Sequence, residues 1–145
     1  MATFTKQASI ATVNDSTERK FTLSIQSDEL RGVTTDDEAA IFNIPVPAGF
    51  QATYAQAKIR EPFTDSGSGT GTTLDVGESS DTDRLLDAGN VEDTSNTYLT
   101  GTGSTHVFQD DGSVQVTLTP AGYNFSESTA GDILVSVWGR LGGNE

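Results

Sequence analysis

The sequence predicts an all-β protein built as a sandwich or barrel, and three observations carry that expectation. Apolar residues recur with a period of two along several segments, the mark of strands buried on one face. Turn signals rich in Gly, Pro, Asn and Asp separate those segments at close spacing. Only 34% of the 145 residues are hydrophobic, which suits sheets that bury one face and wet the other.

Ser9 to Val13 is a weak strand candidate at the start of the chain, before the turn signal Asn14-Asp15. Phe21, Leu23 and Ile25 then alternate with Thr22, Ser24 and Gln26. Ala40 to Ile44 is a weaker candidate, closed by Pro45-Val46-Pro47-Ala48-Gly49. Gln51 to Glu61 holds Ala, Gln, Lys and Glu, which favour helix over strand, between that Pro-Ala-Gly and Pro62. Asp65 to Gly71 reads as an exposed loop. It is no phosphate cradle, because Thr72 and Thr73 stand where a P-loop needs Lys and Ser/Thr. Leu74 and Val76 flank Asp75. Asp81 is placed to cap a short helix that Gly89 would stop. Thr105 to Phe108 is a weak strand candidate, followed by the turn Asp110-Asp111-Gly112. Val114, Val116 and Leu118 alternate with Gln115, Thr117 and Thr119, up to the turn Pro120-Ala121-Gly122. Ile133, Val135 and Val137 alternate with Leu134, Ser136 and Trp138. The expected core is Phe21, Leu23, Ile41, Phe42, Ile44, Leu74, Val76, Val116, Leu118, Ile133, Val135 and Val137.

Charge and cysteine content exclude several function classes. The net charge is −13, from 21 acids against 8 bases. Such a field repels phosphate backbones, so no nucleic-acid partner is expected. With no cysteine, disulfides and Cys-ligated metal centres are ruled out. Met1 to Val13 has no apolar stretch of signal-peptide length, and no segment approaches a membrane span, so no membrane partner is expected and synthesis is assigned to the cytoplasm.

Candidate chemistry is thin. His106 is the only histidine, and Ser104 two residues before it does not make a nucleophile–base pair on a strand. Gly67 and Gly69 around Ser68 lack nucleophile-elbow spacing. No carboxylate pair sits in an apolar context that would raise a pKa for glycoside hydrolysis. The chain is therefore read as a non-enzyme without cofactor or catalytic residue. Asp75, Glu78, Asp81 and Asp83, with the acidic turn Asp110-Asp111, offer oxygen ligands that calcium favours. Their spacing lacks the EF-hand pattern, and the preferred assignment is a structural turn in which Asp75, Asp81 or Asp83 pairs with Arg84, with no metal. Trp138 belongs to a second apolar layer or a subunit interface, with a carbohydrate platform as the rival.

The stretch Thr72-Thr73-Leu74-Asp75-Val76-Gly77-Glu78-Ser79-Ser80-Asp81-Thr82-Asp83-Arg84-Leu85-Leu86 resembles a Leu-Asp-Val-Gly … Thr-Asp-Arg signature. That signature belongs to small all-β virion proteins of tailed bacteriophages, which decorate, cement or form fibres on the outer capsid. The resemblance covers about residues 45–86 plus the final strand. It implies a strand after Pro-Ala-Gly, and so over 51–61. It also implies an architectural motif, a homotrimer, and the phage's major capsid protein as partner. The expected fold is thus a two-sheet β-sandwich of jelly-roll type with about eight to ten short strands. Residues 14–145 form a single domain and residues 1–13 an N-terminal arm or first strand. Phe4, Lys6 and Ile10 of that arm, with Trp138, are the candidate partner contacts. The function expected is a capsid decoration or cement protein on the outer virion surface. The alternative is a tail- or fibre-associated carbohydrate-binding module.

Overall fold

Period-two alternation resolves into eleven strands among the described residues: β1 (Ala2–Thr5), β2 (Ser9–Thr12), β3 (Glu18–Gln26), β4 (Ala40–Val46), β5 (Phe50–Asp65), β6 (Gly71–Glu78), β7 (Asp81–Asn90), β8 (Thr97–Thr100), β9 (His106–Phe108), β10 (Gly112–Ala121) and β11 (Ser128–Arg140). The structure is a computed structural model and describes residues 2–5, 9–12, 18–67, 69–92, 97–101, 106–108 and 112–141. Two short 3₁₀ turns, Ser27–Leu30 and Phe125–Glu127, complete the described elements.

The first sheet has the order β1-β4-β10-β6-β7, and the second β2-β3-β11-β5-β8 with β9 also on β5. The order has a simple origin. β6 pairs with β7, β5 with β8 and β9, β4 with β10 and β3 with β11. These nested pairs are one long antiparallel ribbon with the β6–β7 hairpin at its tip. Rolling the ribbon sends successive pairs to alternate sheets, which is the jelly roll. Pairs β11–β5 and β10–β6 then close each sheet across the roll.

Between the sheets lies one apolar layer. Phe21, Leu23 and Ile25 of β3, Phe42 and Ile44 of β4, Val116 and Leu118 of β10, and Ile133, Val135 and Val137 of β11 are at most 2% exposed. Ile41 is a correction to the expected core. It is only half-buried, because adjacent strand residues face opposite ways and Phe42 takes the inner position. Residues 81–89 are a second correction: they form strand β7 and not a capped helix. A turn at Ser79-Ser80 returns the chain against β6, with Glu78 opposite Asp81 and Val76 opposite Leu86. That pairing satisfies the backbone groups that a helix would have satisfied internally. Residues 51–61 lie within β5, where Ala52, Ala55, Ala57 and Ile59 face the core.

The largest buried side chains also come from places without clear alternation. Phe50, Phe63, Tyr123 and Phe125 are fully buried, with Phe125 edge-on to both Phe63 and Tyr123. The Tyr123 hydroxyl meets the Thr72 hydroxyl, which donates to Glu92 at 2.7 Å. A buried phenol thereby finds a partner, as it must. Burial pushes the Tyr123 pKa up, outweighing the hydrogen bond it shares with Thr72.

The chain begins at the sheet edges. β1 runs parallel to β4, with Phe4 opposite Phe42, and β2 runs antiparallel to β3, with Ile10 opposite Phe21. The described parts of residues 1–13 are thus edge strands of their own sandwich, one on each sheet. Lys6 lies outside the described residues.

The facing of β4 is directly testable. Phe42→Ala should cost about 3–5 kcal/mol by leaving a core cavity. Ile41→Ala should cost about 1 kcal/mol. Equal losses in urea denaturation would show that the strand faces are misassigned.

Candidate functional site

Two features stand apart from the apolar layer: the tip of the ribbon and the outer face of the second sheet. The tip is built around Glu78, which is 4% exposed although charged. One carboxylate oxygen accepts from the backbone N–H of Ser80 at 2.7 Å, the N–H of Asp81 at 2.9 Å and the Ser80 hydroxyl. The other accepts from Arg84 Nε at 2.7 Å and lies 3.5 Å from His106 Nδ1. Burial alone would raise the Glu78 pKa. Hydrogen bonds from the Ser80 side chain, Arg84 and the Ser80 backbone, with the charge of His106, override it and hold the value at about 2. His106 belongs to β9 of the second sheet, so this carboxylate ties the first-sheet hairpin to the opposite sheet.

The motif's glycine has a packing reason. A Cβ on Gly77 would collide with the backbone of Asp81 and Thr82 as the chain reverses. Arg84 pairs first with Glu78 and only more distantly with Asp81, at 3.7 Å. The expected aspartate partner is therefore largely replaced by a glutamate one position from Gly77. The neighbouring Asp83 carboxylate pushes the Asp81 pKa up. Asp75 stands apart from the pair. Carboxylate oxygens of Asp75, Asp83 and Asp87 lie within 4.8 Å of one another, a spacing that exposed acids also reach without an ion.

The outer face of the second sheet carries aromatics and cations in cross-strand rows. Trp138 is flanked by Tyr54 of β5 and Lys20 of β3, and Lys58 by Tyr98 of β8 and Leu134 of β11. The Tyr54 and Trp138 rings are 5.3 Å apart and tilted by 46°. Lys20 Nζ sits 5.0 Å from the Trp138 ring centre and Lys58 Nζ 5.7 Å from that of Tyr98. Lys20, Trp138, Lys58, Tyr98 and Leu134 bound a groove of about 260 Å³ lined also by Gln56 and Ser136. Arg60, further along the face, is neutralised by Asp132 at 2.7 Å. Trp138 thus belongs to an outer aromatic cluster and not to the inter-sheet core. A sugar would find one approach to its ring already occupied by an ammonium group.

The remaining sequence candidates scatter. Ile10 shares the inner face of the second sheet with Phe21, yet at the edge it is 57% exposed. Phe4 is placed on β1, away from Trp138. Ser104 and Asp110-Asp111 lie outside the described residues, as does Ser68. Sequence reasoning missed Glu78 as the hub. Its signal was a glutamate directly before Ser79-Ser80, where two successive donors fall within reach. It also missed Lys20 and Lys58, because the rings they sit against, Trp138 and Tyr98, come from other strands.

No helix among the described residues is long and apolar enough to cross a membrane. No family model matches the chain, and no curated protein matches it in sequence. In structure it is similar to a chain of the cyanophage Pam1 capsid asymmetric unit. The TM-score is 0.60 at 20% identity, over 90% of this chain and 91% of that one. A more distant likeness, with a TM-score of 0.47 and 12% identity over 85% and 88% of the two chains, is to the acidic stable capsid structure of Helicobacter pylori bacteriophage KHP30. A third, with a TM-score of 0.34 and 8% identity over 94% and 97%, is to Aeromonas hydrophila PliG, a periplasmic inhibitor of g-type lysozyme. The Pam1 likeness is one of fold.

Glu78 gives a pH prediction. Its pKa falls from 4.5 to about 2 on folding, so the folded state favours the carboxylate. The stabilisation, about 3 kcal/mol, is complete above pH 4.5 and is lost as pH falls toward 2. Glu78→Gln should therefore be less stable at neutral pH and show a shallower acid transition. An unchanged acid transition would remove Glu78 from its role. Arg84→Ala should cost about 1–3 kcal/mol and lower Tm by a few degrees in calorimetry; an unchanged Tm would refute the pair.

Proposed function

We propose that this chain is a structural virion protein, a bacteriophage capsid decoration or cement protein that sits on the outer shell, bridges neighbouring capsomers and associates with itself as a homotrimer. The observation that carries the reading is the jelly roll shared with a chain of the cyanophage Pam1 capsid asymmetric unit over nine-tenths of both chains. The hairpin motif that resembles phage virion proteins supports it independently. So does the net charge of −13, which disfavours a place against packaged DNA.

The mechanism is area and multivalency. Many copies on one lattice turn each weak contact into an effectively intramolecular one, and avidity then exceeds the affinity of a single contact. The capsid-facing element we assign is β2. It is an edge strand with free ladder groups on one side and an exposed Ile10, which suits pairing to another chain's sheet edge.

Particles purified from the encoding phage should carry the chain in many copies outside the shell, as tagged density in cryo-electron micrographs. Its absence from such particles, or a place inside the shell, would overturn the reading. Ile10→Asp should lower occupancy when the protein is added back to particles lacking it, with Tm unchanged. Full occupancy by that variant would move the capsid contact away from β2.

A further inference from the structure

We propose that the outer face of the second sheet is a docking surface for a second copy of this chain, and that its occupant is the acidic β6–β7 hairpin of that neighbour. The inference rests on the self-association in the proposed function. It adds the surface, the register of charge and the symmetry of the contact.

The composition of the face comes first. Trp138, Tyr54, Tyr98 and Leu134 lie together on a sheet surface that is otherwise polar, and Tyr98 is 54% exposed. Trp and Tyr are the side chains that most often anchor protein interfaces. A groove of about 260 Å³ runs between Trp138, Tyr98 and Leu134, so the face is indented and able to take a protruding element.

Charge then selects the occupant. Lys20 and Lys58 have no carboxylate partner among the described residues and rest on aromatic rings. In a chain with 21 acids and 8 bases, two uncompensated cations on one face make a local basic patch on an acidic molecule. Its complement is present on the same chain. Asp83 and Asp87 are exposed on β7, the edge strand of the first sheet, and their carboxylates crowd that of Asp75 within 4.8 Å.

Symmetry follows from sign. A twofold axis through the centre of this face would bring Lys20 and Lys58 of one copy near the same lysines of its partner, which costs energy. The contact must instead join two different surfaces, face to hairpin. Made once per subunit in a head-to-tail sense, such contacts close into rings when the rotation allows it, and three copies form the smallest ring beyond a reciprocal dimer. The homotrimer of the proposed function is the state this geometry supports.

The test uses the purified full-length chain in sedimentation equilibrium. Wild type should be a trimer that weakens as salt rises, since rim charges are screened. Lys20→Glu with Lys58→Glu should weaken association at least about tenfold, with circular dichroism and Tm unchanged. Asp83→Lys with Asp87→Lys should do the same. Combining all four substitutions in one chain should restore the trimer, because the sign of both surfaces is then inverted. Trp138→Ala, which touches no hairpin residue, should weaken association without altering the hairpin. A wild-type monomer at high micromolar concentration overturns the contact, and leaves the virion assignment to be judged on particles. A trimer indifferent to the lysine reversals overturns it too, and failure of the fourfold variant to recover removes the hairpin as the occupant.

Discussion

The structure depends on how few apolar side chains the chain has to bury. With 34% hydrophobic residues, they suffice for one continuous layer between two sheets and for little else. Hydrophobic stabilisation scales with apolar area removed from water, so that layer must draw on almost every strand. It does: β3, β4, β5, β6, β10 and β11 each turn a row of Phe, Leu, Ile, Val or Ala inward. The outward rows are then free to be Thr, Ser, Gln and Asp. This is why period two dominates the sequence, and why an apolar residue on an outer face carries information. Trp138, Tyr54, Tyr98 and Leu134 contribute nothing to the inter-sheet layer, and their clustering on one outer face needs a separate reason.

The ribbon's tip meets the same shortage in another way. A two-residue turn at Ser79-Ser80 has no apolar side chain to anchor it. Glu78 supplies the anchor electrostatically. Its carboxylate leaves water, which is unfavourable by itself, but five donors or positive groups converge on its two oxygens. A buried charge with its hydrogen-bonding capacity met is tolerable, whereas removal of one partner is strongly destabilising. Because His106 comes from β9, the lock spans both sheets. Gly77 completes it by letting the returning backbone approach where a methyl group would not fit.

How much of this was legible follows from the same physics. Strands with clean alternation, such as Phe21-Leu23-Ile25 and Ile133-Val135-Val137, announced both their type and their inward face. Ile41 misled because it adjoins Phe42, and two neighbouring apolar residues leave the face open until a partner strand fixes it. Leu85 and Leu86 had the same effect on a larger scale. Both are buried, and the pairing of β7 slips in register between Leu74 and Val76 and again before Glu78. An irregular ladder loses its period, and the capping pattern of Asp81 and Gly89 then looked helical. Tyr123 and Phe125 were invisible for a different reason. They sit beside a 3₁₀ turn capped by Asn124, where no strand period exists to be counted. Glu78 had a local signal in the Ser79-Ser80 turn, but its contact with His106, which makes it a lock between the sheets, has no local signature.

These failures are not spread evenly. The second-sheet side chains missed by pattern, Lys20 and Lys58, lie on one outer face, and the misread strand β7 is the edge of the first sheet. In a well-specified fold, local propensity and global packing agree at most positions, and the places where they part are those that serve something besides folding. An edge strand whose register slips, bearing Asp83 and Asp87 outward, gives the core little that a regular strand would not give better. A half-buried tryptophan on the outer face, beside a lysine with no carboxylate partner among the described residues, gives it still less. Both departures make sense if those two surfaces are buried only when another protein covers them. The core of this chain would then be sufficient to form one sandwich, and its remaining apolar and basic side chains would be held back for assembly.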